Sequence, residues 1–213
     1  MAVPVFDPTN HFWRWFARTM DVFGLSLCWL ACSIPLVTIG ASTTALYDSI
    51  YHGVRRREDG VYVRFFRTFW RELKTGIVIS VPAILIWLVY YLLLGISYIT
   101  ANGGNEAALV LVYVYQFLFI VLLVIWVTAC AMLSRFTFGA VQLISTASKL
   151  VFANLLRMIL VGAVLALAIA AAFWMPLLLM LLPGLAAWLI SFPMEKAFAP
   201  FLPKEDEPDE EED

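Results

Sequence analysis

The sequence predicts an all-α fold: a polytopic transmembrane helical bundle of about five spans with an amphipathic juxtamembrane helix. Three observations predict it. Of 213 residues, 62% are hydrophobic and only 14% charged, with a mean hydropathy of +0.86, more apolar surface than one soluble core can cover. Uncharged runs of bilayer-crossing length recur along the chain. The basic residues gather in alternate loops.

Each span is bounded by charge or by turn chemistry. Residues 22–45 are uncharged but interrupted by Pro35. Residues 77–100 are rich in Val, Ile, Leu and Tyr and close on Asn102-Gly103-Gly104-Asn105, a turn sequence. Residues 107–134 form the third run, ending at Arg135. The neutral stretch from Arg157 to Glu195 would measure roughly 56 Å as one helix, too long for a single crossing. It is expected to fold back at Met175-Pro176, giving spans near 155–174 and 176–194, with Pro183-Gly184 kinking the fifth. Residues 1–199 thus form one transmembrane domain. Eight of the 16 acids fall after Pro203, and residues 200–213 read as a disordered acidic tail.

Without that tail and its Lys204, 13 basic and 8 acidic residues remain. Seven of the basic ones (Arg55, Arg56, Arg57, Arg64, Arg67, Arg71 and Lys74) lie between the first two runs, and Arg135, Lys149 and Arg157 lie between the third and fourth. The positive-inside rule makes these loops and the C-terminus cytoplasmic in a multi-pass cell-membrane protein. Five spans put the N-terminus outside, at odds with Arg14 and Arg18. If residues 22–45 instead enter and turn back at Pro35, all 14 basic residues lie inside.

Two segments read as interfacial. Tyr62, Phe65, Phe66, Phe69 and Leu73 recur at helical spacing opposite Arg64, Arg67, Arg71 and Lys74, a basic face suited to anionic headgroups. Phe12, Trp13, Trp15 and Phe16 resemble an aromatic belt. A weak internal echo pairs Phe69-x-x-x-Leu73-Lys74 with Phe152-x-x-x-Leu156-Arg157, the signature a parallel repeat would leave.

The sequence offers no sign of catalysis. Apart from Arg157 at the start of the fourth, the second to fifth spans hold no Asp, Glu, Lys, Arg or His, which counts against a proton relay, a voltage sensor or a metal site at depth. His11 and His52 lack ligand spacing, and Cys28, Cys32 and Cys130 sit in apolar runs. There is no Walker-type glycine loop. No enzyme activity, cofactor, metal or nucleic-acid partner is expected. The unusual stretch is Ser33 to Tyr47, where Pro35 breaks the helix and Gly40 with several Ser and Thr can end one helix and cap the next. Irregular backbone at depth must be buried in protein or face water, so Pro35, Thr38, Gly40, Ser42, Ala45, Leu46 and Tyr47 are the candidate site, with packing favoured over ligand binding.

The run Leu27-Cys28-Trp29-Leu30-Ala31-Cys32-Ser33-Ile34-Pro35-Leu36-Val37-Thr38-Ile39-Gly40-Ala41-Ser42, then Ala45-Leu46-Tyr47, Glu58-Asp59-Gly60 and Phe65-Phe66, resembles the YesL family of bacterial membrane proteins, chiefly Gram-positive, which carry a domain of unknown function. Leu25-Ser26 departs from that pattern, where a Leu-Asn pair is expected. The resemblance implies a non-enzymatic accessory role in carbohydrate uptake by ABC-type transporters or in its regulation, with permease subunits as partners. The alternative is an autonomous small-solute transporter or channel, whose lack of deep polar residues a homo-oligomer would have to supply.

Overall fold

A computed structural model describes residues 11–56, 58–102, 106–136 and 139–199. Gly103, Gly104 and Asn105 of the expected turn, Arg57 and the acidic tail lie outside the described residues, as do the side chains of Phe12, Trp13, Trp15 and Phe16.

Seven helices make up the described chain, with no strand among them. They are α1 (His11–Ser33), α2 (Ile39–Ser49), α3 (Val61–Asn102), α4 (Glu106–Leu133), α5 (Ala140–Ala153), α6 (Leu155–Trp174) and α7 (Leu182–Phe198). Three of them, α3, α4 and α6, are long and apolar enough to cross a membrane. Of the most apolar stretch of each, only 11–17% is buried within the molecule, so their exposed Leu, Ile, Val and Phe need lipid or another protein.

The run at 22–45 is not one rod. α1 ends at Ser33, a 3-10 turn spans Leu36–Thr38, and α2 starts at Ile39. The Ser33 and Ser42 hydroxyls lie 2.7 Å apart, and Trp29 donates its Nε1–H to Thr43 Oγ1 at 3.1 Å. Residues before and after Pro35 are therefore side by side, in a helical hairpin. α2 is the best-buried helix: from Gly40 to Ile50 only Thr43 is not fully buried, because its Gly, Ala, Ser and Thr let neighbours approach closely. It continues into a π-helical turn, Ile50–Arg55.

The basic amphipathic segment is the first part of α3, continuous with the spanning part in a helix of 42 residues, about 63 Å long. Phe65 and Phe69 pack inward with Val22, Leu25, Ala45 and Leu46. The loop expected between Arg135 and Arg157 holds α5, which buries Leu143, Ala147, Leu150 and Val151. The two halves of the internal echo adopt different structures: Phe69 to Lys74 lie within one helix, whereas Asn154 separates Phe152 in α5 from Leu156 in α6.

The reversal after α6 falls where expected, but over a longer path. Met175 is extended, Pro176–Met180 is a 3-10 turn, and α7 begins at Leu182. Pro183 does not kink the fifth helix, because it sits in the first turn of α7, where its missing N–H costs nothing.

Candidate functional site

The residues singled out between Pro35 and Tyr47 do distinct structural work. Thr38 Oγ1 lies 2.6 Å from the Cys32 carbonyl and 2.7 Å from that of Pro35, which also accepts the Thr38 N–H at 2.8 Å, so its one proton serves the carbonyls where the helix breaks. Ser42 reaches back to Ser33, while Ala45 and Leu46 fill the core against α3. Gly40 marks the α2–α3 crossing. Its N–H donates to Ser80 Oγ at 2.8 Å, and Ser80 in turn donates to the Gly76 carbonyl at 2.8 Å. An amide at the start of α2, lacking a partner in its own helix, is thus capped by a hydroxyl from another helix.

The same device recurs at α7. The Gly184 N–H donates to Ser26 Oγ at 2.9 Å, and the Ser26 hydroxyl lies 2.8 Å from the Val22 carbonyl. In both places the glycine has no room for a side chain: a Cβ on Gly40 would lie 2.4 Å from Ser80 Oγ, and one on Gly184 would lie 2.5 Å from Ser26 Oγ. Ser26, the residue departing from the family pattern, holds one of these bonds. The sequence marks Ser26 only as a departure from the family pattern and does not mark Ser80 at all; a lone serine in an apolar run gives no sign of which amide it will meet.

Tyr47 leads to the second feature, an ionic cluster at one face of the bundle. Its hydroxyl donates to Glu195 Oε1 at 3.0 Å, and Arg135 Nη2 donates to the same oxygen at 2.9 Å. The Arg135 guanidinium stacks 3.7 Å from the Tyr51 ring centre, and Arg55 donates to the Ser191 carbonyl at 2.9 Å. Beside this, Asp48 accepts from Thr68 at 2.8 Å, pairs with His52 Nδ1 at 3.1 Å and lies 3.8 Å from Arg64, which also pairs with Glu58. Burial alone would raise the Asp48 pKa, but bonds from His52 and Thr68 and the charges of His52 and Arg64 outweigh it, so the carboxyl lies below its ordinary value. Arg157 Nη1 donates to the Lys196 carbonyl at 3.0 Å. The cluster therefore joins the ends of α2, α4 and α7 to the starts of α3 and α6 at a single face.

Two cavities flank Tyr47 and Arg135. One, of about 280 Å³, is apolar and framed by Trp29, Tyr47, Trp87 and Trp126. The other, a cleft of about 620 Å³, has Arg64, Arg67 and Arg71 on its α3 wall and Arg135 opposite. Of the four basic residues expected on one face of that segment, Lys74 alone is absent from the cleft lining. Among the described residues no cluster of His, Cys, Asp and Glu could hold a metal.

The comparisons bear on this architecture. Residues 22–94 match the model of a family described as "Protein of unknown function, DUF624". YesL-family proteins carry that domain, so the chain's resemblance to them stands. The matched stretch contains the hairpin, Ser80, Asp48 and the α3 arginines, and stops before Arg135 and Glu195. No curated protein and no solved structure compared with the chain matches it.

Proposed function

We propose that this membrane protein is a non-enzymatic accessory component that associates with a transport system for carbohydrate of the ABC type, or with its regulation, through apolar helix faces and its basic end. The observation that carries the reading is the surface of α3 and α4. Their outer halves pack on each other through Trp87, Tyr90 and Phe119, while Tyr91, Tyr113 and Phe117 are each more than 70% exposed. Aromatic side chains held outward on paired helices suit the helix faces of a permease, and the family resemblance supplies the class of partner. Beyond Arg157 at the start of α6, the second to fifth spans carry no Asp, Glu, Lys, Arg or His to drive transport or catalysis.

The hairpin supports a revised orientation. In this reading the chain turns at Pro35 and returns to the side it came from, so that both termini and all 14 basic residues would share the cytoplasmic face, with no exception to the positive-inside rule. Crosslinking in cells followed by purification tests the function. A stoichiometric permease partner is expected, whereas solute flux through liposomes containing the purified chain alone would overturn the reading in favour of an autonomous transporter.

A further inference from the structure

We propose that the arginine-lined cleft is a binding site for a phosphate monoester, independently of any permease association. Arg64, Arg67 and Arg71 stand at i, i+3 and i+7 on one face of α3, and Arg135 faces them from the end of α4. Internal carboxylates account for three of the four: Arg64 pairs with Glu58 and Asp48, Arg71 with Glu72 at 2.6 Å, and Arg135 with Glu195. Arg67, exposed in the cleft, has no carboxylate at ion-pair distance among the described residues. Arg135 Nε is buried without a hydrogen-bond partner.

An Arg67 guanidinium with no carboxylate partner thus shares one cleft with Arg135, whose second function beside its pairing with Glu195 is to add positive charge to the lining. The lining carboxylates are Asp48, already engaged by His52, Thr68 and Arg64, and Asp59, exposed beside Gly60. A phosphate monoester fits this arrangement: it carries close to two negative charges at neutral pH and three acceptor oxygens, and guanidinium forks bind such groups with charge-assisted bonds. The ester can come from a lipid, as the phosphatidate headgroup, or from a soluble compound.

The test uses the full chain in nanodiscs. Glycerol 3-phosphate is titrated against discs of phosphatidylcholine, and separately the retention of phosphatidate is compared with that of phosphatidylglycerol, a phosphodiester, by native mass spectrometry. Binding of glycerol 3-phosphate assigns the site to soluble esters, and selective retention of phosphatidate alone assigns it to the headgroup. Arg67→Gln, an exposed change that leaves the core intact, should weaken whichever binds by about tenfold or more. Lys149→Gln removes an exposed charge on α5, outside the cleft, and should change nothing. Binding of neither probe, equal retention of both lipids, or equal losses in the two variants would refute a built site.

Discussion

One glycine of α3 offers a decisive test of the packing, because a second glycine in the same helix is its control. At Gly76 an added Cβ would stand 2.6 Å from the Ala41 amide nitrogen and 2.8 Å from its Cα and Cβ. These are backbone atoms or fixed to backbone, so no side-chain rotation relieves them. α2 and α3 would have to part by at least about 0.4 Å to reach the 3.0 Å limit of real Cβ contacts, stretching the Gly40–Ser80–Gly76 relay. Overpacking of this kind costs about 1–3 kcal/mol. At Gly95 nothing lies within 4 Å, and alanine there only gains helix propensity, up to about 1 kcal/mol. Thermal unfolding in detergent, followed by the monodisperse fraction on size exclusion, should show Gly76→Ala several degrees below the parent and Gly95→Ala at or above it. Equal midpoints for the two variants would mean that α2 and α3 do not cross at these residues.

Other expectations follow from the polar contacts. Glu195→Gln leaves the Arg135 charge buried without its partner and should cost about 3–5 kcal/mol, seen as a large drop in the same unfolding midpoint. Ser80→Ala and Ser26→Ala each remove a helix-start cap and should cost about 1 kcal/mol, while Thr146→Ala, at an exposed hydroxyl of α5, should be neutral. Because the Asp48 carboxyl is held below its ordinary value, the stability it contributes is full above the unfolded carboxylate pKa of about 4 and is lost as pH falls through the folded value. Acid unfolding curves of the parent and Asp48→Asn should therefore converge at low pH and separate as pH rises.

The membrane class was plain from composition because apolar runs and charge spacing are local properties of a sequence. Residues 107–134 and 155–174 coincide closely with α4 and α6 for that reason. The long α3 was foreseen as two pieces, since charge ends at Lys74 while helical hydrogen bonding continues across it. α5 was missed although Leu143, Ala147, Leu150 and Val151 repeat at helical spacing, because it is too short to cross a bilayer and a search for spans passes over it. Glu195 closes the fourth uncharged stretch as a boundary charge; its role with Tyr47 and Arg135 depends on partners 148 and 60 residues away, a separation no local pattern encodes.

The hairpin at Pro35 meets the condition that makes irregular backbone costly in lipid. Its outward residues are apolar, with Ile34 81% and Leu36 63% exposed, which suits hydrocarbon. Its polar atoms turn inward: Thr38 to the carbonyls of Cys32 and Pro35, Ser33 to Ser42, and the Gly40 amide to Ser80. In hydrocarbon each of these groups would otherwise cost several kcal/mol. The serines and threonines of this stretch are therefore explained by the break itself, without a ligand. Chemistry that recognises something outside the chain is better sought at the other end of α2, where the charges are only partly matched by one another.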